Sequence, residues 1–115
     1  MTKVLFLPEV ADQFLELAEV LYQQGYLGLK EVAVNYSEQL FRDIQNSLPV
    51  KVKKDAPSYF KRYGNDLFYS SFPKSRHTTW YVFYSIHERD GDTVFLVRYL
   101  GNNYVIAHHL VDDSD

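Results

Sequence analysis

Two histidines stand side by side, His108 and His109, within the stretch GNNYVIAHHL (Gly101 to Leu110). An imidazole titrates near pH 6.5, so it can take or give a proton near neutrality, or bind a metal. The stretch reads as a β-strand, where neighbouring side chains point to opposite faces. The pair therefore cannot share one site, a two-His metal site is disfavoured, and at most one of the two is catalytic. His108 runs with Tyr104, Ile106 and Leu110, and His109 with Val105, Ala107 and Val111. Both sets are apolar, so alternation does not say which face is covered. The plainer reading makes one histidine a buried, hydrogen-bonded residue and the other part of a partner interface. His77 opens a strand and His87 borders a turn, and both read as solvated.

Positive charge is the second chemical feature. The chain carries a net charge of −3 and a pI of about 5.7, which argues against a general nucleic-acid binder. Residues 50–76, VKVKKDAPSYFKRYGNDLFYSSFPKSR, nevertheless hold seven basic and two acidic side chains, net +5, while the flanking segments are each net −4. Within this stretch Tyr59, Phe60 and Tyr63 interleave with Lys61 and Arg62. Cations hold phosphates and aromatic rings stack on bases, so the pattern suits contact with RNA or DNA. The same rings would equally pack the segment onto a sheet, leaving Lys51, Lys53 and Lys54 as a solvated face.

Other chemistries are weakly represented. The 115 residues include no cysteine, which removes disulfides and thiolate chemistry and leaves no mark of an oxidising compartment. There is no P-loop, no nucleophile elbow and no HExxH zinc motif. Glu88, Asp90 and Asp92 around Gly91 resemble a turn more than a calcium loop. No metal and no cofactor is indicated. The start MTKVLFLPEVADQF lacks the apolar core of a signal peptide, and no apolar run approaches about 18 residues, so a cytoplasmic protein without membrane contact is expected.

The elements that must position these residues follow from spacing. Lys3 to Leu7 is a short apolar strand stopped by Pro8, which suits the first residue of a helix, with Glu9 and Asp12 in its first turn. Val10, Phe14, Leu17, Ala18 and Leu21 form one helical face, ending near Gly25. After GYLG, a second face runs through Val32, Ala33, Tyr36, Leu40, Ile44 and Leu48 to Pro49, so a helical hairpin is predicted. The period then changes. Phe68 to Phe72, Thr78 to Glu88, Asp92 to Leu100 and Asn103 to Leu110 are rich in aromatic and β-branched residues and read as four strands, joined at ERDGD and LGNN by tight turns. In the run WYVFY, Trp80, Val82 and Tyr84 share one face and Tyr81 and Phe83 the other; one set is expected to be core against the helices and the other exposed unless a partner covers it. The expected fold is one α+β domain over 1–115: an N-terminal strand and helical hairpin packed on a curled, mainly antiparallel sheet (β-α-α-β-β-β-β), with 111–115 a frayed acidic tail.

This arrangement resembles the RelE/ParE superfamily of toxins from bacterial type II toxin–antitoxin systems. The resemblance rests on VLFLPEVADQFLELAEVLY, the helix-ending IQNSLP, and the block TTWYVFYSIHERDGDTVFLVRYLGNNYVIAHHL. It implies a toxin held by a cognate antitoxin and, when free, a ribosome-dependent mRNA endoribonuclease. On that reading His109 is the general acid or base, Arg76 and Arg98 stabilise phosphate charge, and Lys51, Lys53, Lys54, Lys61 and Arg62 position RNA. Asn102 and Asn103 follow Gly101 where the family is expected to carry a basic residue, and Arg98 would take over that role. The same scaffold also serves in DNA gyrase inhibitors that cleave nothing, and a partner-binding domain without activity is a third outcome, because fold alone does not choose among functions.

Overall fold

The computed structural model describes residues 1–25, 29–106 and 109–110. Two expectations lie outside them, namely the GYLG turn between the helices from Tyr26 onward and the acidic tail 111–115. The first strand, β1 (Thr2–Phe6), leads into α1 (Pro8–Gln23), with proline in the first turn and Glu9 beside the positive helix end. Helix α2 (Lys30–Ser47) follows and runs into a 3-10 turn at Leu48–Val50, where Pro49 can no longer supply a helical N–H. A two-residue strand β2 (Lys54–Asp55) and a 3-10 helix (Ser58–Tyr63) occupy the basic stretch. Three long strands complete the sheet: β3 (Phe68–Pro73), β4 (Thr79–Arg89) and β5 (Asp92–Asn102). A short helix, α3 (Asn103–Ile106), comes last.

The sheet order is β1-β5-β4-β3-β2, with β1 parallel to β5 at one edge and every other pair antiparallel. The α+β class and the N-terminal edge strand are as expected. A two-residue turn at Asp90–Gly91, both at positive φ, joins β4 to β5, the backbone that a tight hairpin twist demands.

One face of the sheet carries the helical hairpin. Val10 and Phe14 from α1, Leu40 and Ile44 from α2, and Trp80, Val82, Tyr84, Val97 and Leu100 from the sheet form the main core. Along α2 the buried line begins at Ala33 and passes through Ser37, while Val32 is exposed. Ser37 is tolerated there because its Oγ donates to the Phe14 carbonyl at 2.6 Å, a buried polar group with its bond made.

The opposite face departs from expectation. Phe83 and Tyr81 do point there, but they are not left for a partner to cover. Phe60, from the 3-10 helix, stacks on Phe83 with ring centroids 4.1 Å apart, and Leu67 and Ile106 complete a second core. The linker thus packs onto the sheet because its middle aromatic finds a ring of the same size beneath it.

The predicted fourth strand, Asn103 to Leu110, is also corrected. Asn103–Ile106 is helical, and the chain folds back over the sheet instead of pairing with β5. Asn103 explains the switch. Its Oδ1 accepts from the Thr79 N–H at 2.9 Å and its Nδ2 donates to the His77 carbonyl at 3.1 Å, clasping the chain to the β3–β4 turn. Gly101 then lets Ile106 descend, since a Cβ there would meet Ile106 side-chain carbons at 3.1 and 3.2 Å. Among the described residues no helix is long and apolar enough to cross a membrane.

Candidate nucleic-acid interface

The residues singled out for chemistry divide between the two faces of the sheet. Lys51 and Lys53 lie over the rings of Phe72 and Phe68, which belong to the helix-side core. Lys61 and Arg62 stand on the 3-10 helix across the opposite face, and Lys54 is exposed on β2 between them. The basic stretch therefore does not form a single patch, because the chain crosses the sheet edge at β2.

Of the candidates for catalysis, two lie on the face away from the helices. His109 is part-buried and its ring lies 3.6 Å from that of Tyr59, 7° from parallel. The Arg62 guanidinium carbon sits 3.9 Å from the centre of the same Tyr59 ring. Both cannot occupy one side of a ring at those distances, so Tyr59 is sandwiched between cation and imidazole. Arg62 is held further by its Nε, which donates to the Tyr59 carbonyl at 3.0 Å. His109 is not in a strand, so strand alternation does not fix the face its ring takes. His108 itself lies outside the described residues.

Arg98 follows Val94 and Leu96 onto this face by alternation, and an irregularity in β5 comes immediately after Val97. Phe83 pairs with Tyr99 and Tyr84 with Val97, so Arg98 is an extra residue, a β-bulge. Strict alternation would set Arg98 and Tyr99 on opposite sides, whereas the bulge resets the pleat so that both leave the helix face. The Arg98 Nε donates to Ser85 Oγ at 2.9 Å, and that hydroxyl lies 2.7 Å from His87 Nε2. The guanidinium has no carboxylate partner among the described residues. Its stem passes beside Gly64, where an added Cβ would meet Arg98 Cδ at 3.1 Å and where φ is +149°. Only glycine suits that backbone and that approach.

Between Arg98 and the sandwiched histidine lies a phenol pair. Tyr63 stacks on Tyr99 at 4.1 Å, 10° from parallel. Burial pushes the Tyr99 hydroxyl up to about 12, and the Tyr63 and Tyr59 phenols beside it add to the shift. Tyr99 is thus a neutral group throughout the physiological range, able to donate a hydrogen bond but not to act as a base.

Arg76 is placed elsewhere, exposed in the β3–β4 turn. Thr79 at the base of that turn is four residues along β4 from Phe83, about 14 Å of strand, so Arg76 and Arg98 do not converge on one phosphate. Asn102 and Asn103, where a cation had been expected, do structural work instead: Asn103 forms the clasp described above, and Asn102 Oδ1 accepts from the Tyr104 N–H at 3.0 Å. No group of three His, Asp or Glu side chains that could hold a metal occurs among the described residues.

His87 is exposed, as expected from the sequence, and the residue that sequence reasoning passed over is Ser85, two positions before it on the same face of β4, whose hydroxyl meets both His87 and Arg98.

No family model, no curated protein and no solved structure matches this chain.

Proposed function

We propose that the chain is a toxin of RelE/ParE type, acting when free of antitoxin as a ribosome-dependent mRNA endoribonuclease, with the sheet face opposite the helices turned toward RNA. The observation that carries this reading is the Arg62–Tyr59–His109 sandwich, which fixes an imidazole and a cation on the same side of the sheet as the carboxylate-free Arg98. The α+β order with an N-terminal edge strand supports the family resemblance.

Cleavage of RNA without an external nucleophile requires the 2′-hydroxyl oxygen to attack the adjacent phosphorus while the P–O5′ bond breaks. One group takes the 2′ proton, one returns a proton to the 5′ oxygen, and cations offset the charge gathering on the phosphate. His109 supplies a proton-transfer group. Arg98 supplies charge that its Ser85 latch already orients, so little reorganisation is needed when the phosphate charge grows. Arg62 and Lys61 lie on the 3-10 helix of that face as backbone-positioning cations, and Arg76 binds farther along the strand.

The experiment is pulse labelling after induction in cells without antitoxin. Prompt loss of methionine incorporation with thymidine spared is expected. Early loss of thymidine incorporation would overturn the proposal in favour of gyrase inhibition, and absence of growth arrest would leave a partner-binding domain.

A further inference from the structure

The groove floored by β1, β5 and β4 on the helix-free face holds about 500 Å³ and is lined by Lys3, Leu5, His87, Val94, Leu96 and Arg98, with acidic and basic side chains of the β4–β5 turn at its end. Register makes it a regular lattice. Lys3, Val94 and His87 form one cross-strand row, and Leu5, Leu96 and Ser85 the next. The rows put an apolar floor beside a polar wall, and Leu5 is 49% exposed.

The polar wall is built for an anion. Arg98 spends only its Nε on Ser85, and its two terminal nitrogens have no partner among the described residues. His87 engages Ser85 through Nε2, leaving Nδ1 likewise without a partner among them. Ser85, almost fully buried, accepts from Arg98 and has one lone pair and one hydrogen left. The Ser85 hydroxyl thus links the two groups, accepting from Arg98 Nε and sharing a hydrogen bond with His87 Nε2 in which either side can donate. The lysine that shares the groove is already committed, with Lys3 Nζ 3.2 Å from Asp92. Of the two arginines of the groove, Arg89 stands at the turn end among Asp90 and Asp92, while Arg98 stands at the far end from that turn, where a planar guanidinium fork matches phosphate oxygens.

We propose that this groove binds a nucleotide, its phosphate on Arg98 and His87, which Ser85 holds in place, and its nucleoside on the Leu5–Val94–Leu96 floor. Its volume lies in the range of pockets that enclose a molecule of that size. The ligand is a phosphate carried on a nucleoside, either free or as one unit of an RNA strand. The inference rests on the proposed function only in that Arg98 meets a phosphate, and not on any cleavage.

The test is a titration of the isotope-labelled full chain, following the Arg98 Nε–H and the His87 ring by NMR, with 5′-AMP, adenosine, inorganic phosphate and a short single-stranded RNA as probes. Saturable shifts of both groups by 5′-AMP are expected, with none by adenosine. Arg98→Lys should weaken 5′-AMP at least tenfold. Ser85→Ala, which keeps the guanidinium but unlatches it, should weaken it severalfold. Leu5→Ser should weaken 5′-AMP while leaving inorganic phosphate unchanged. RNA that displaces 5′-AMP would assign the groove to the RNA strand, and RNA that binds without displacing it would assign the groove to free nucleotides. Adenosine binding as tightly as 5′-AMP, or an Arg98→Lys variant that binds like the parent, would overturn the proposal. Because these are binding readouts on purified protein, their failure is separate from the outcome of pulse labelling.

Discussion

The imidazole of His109 lies against Tyr59 at 3.6 Å and 7° from parallel, with Arg62 on the other side of the phenol ring. Stacking and proton transfer are separable roles here. Replacing His109 by phenylalanine keeps a flat ring for Tyr59 but removes the titratable nitrogens, whereas alanine also removes the stack, a loss of about 0.5–1.5 kcal/mol. If His109 carries chemistry, His109→Phe should retain the parental melting temperature within a few degrees and lose growth arrest. Full arrest in that variant would restrict His109 to packing.

Gly64 controls the aim of Arg98. A Cβ at this position would meet Arg98 Cδ at 3.1 Å and Leu67 Cδ2 at 3.4 Å, on a backbone with φ of +149°. Gly64→Ala should cost about 1–3 kcal/mol in a denaturant titration, the usual penalty for a side chain forced into such a conformation. The Arg98 Nε–H resonance should shift as its bond to Ser85 loosens. An unchanged midpoint and an unchanged resonance would show that the turn relaxes freely.

The two layers of the main core are also tied by one polar bond. Trp80 Nε1 donates to the Tyr36 hydroxyl at 2.8 Å, linking β4 to α2, and Trp80 is only 7% exposed. Tyr36→Phe would leave the indole N–H without its partner, which should destabilise the fold by about 1–3 kcal/mol. Tryptophan fluorescence, with a single Trp in the chain, reports the change directly. A variant as stable as the parent would mean that water replaces the phenol.

Alkaline pH should weaken the fold through Tyr99. Its hydroxyl is pushed up to about 12 in the folded chain, from an ordinary value near 10. Between those values the unfolded chain has lost a proton that the folded chain keeps, so stability is intact below about pH 10 and falls as pH rises toward 12. Absorbance of ionised phenol should show Tyr99 titrating late. Tyr99→Phe, which has no proton to lose, should flatten that part of the stability profile, and an unchanged profile would assign the alkaline loss to other groups.

Much of the architecture was legible because it is written in period. Val10, Phe14 and Ala18 repeat at helical spacing and are buried on α1, and WYVFY alternates as a strand should, with Trp80, Val82 and Tyr84 on the helix side and Tyr81 and Phe83 on the other. Such patterns depend on a residue's own type and on neighbours within a turn or a pleat. The composition likewise ruled out thiol chemistry and marked residues 50–76 as the basic segment without any reference to three dimensions.

What the tertiary structure alone decided depends on partners far along the chain. Asn103 to Ile106 has the composition of a strand, yet Asn103 finds bonding groups at His77 and Thr79, and Gly101 leaves room for Ile106, so it turns into a helix. The aromatic half of the basic segment is core because Phe83 waits beneath Phe60. The most consequential decision is the bulge that adds Arg98 between the partners of Phe83 and Tyr84. One unpaired residue reverses the facing of a strand from that point on, and it is this shift, invisible in a list of alternating side chains, that brings Tyr99 onto the face of Arg98, where it stacks on Tyr63.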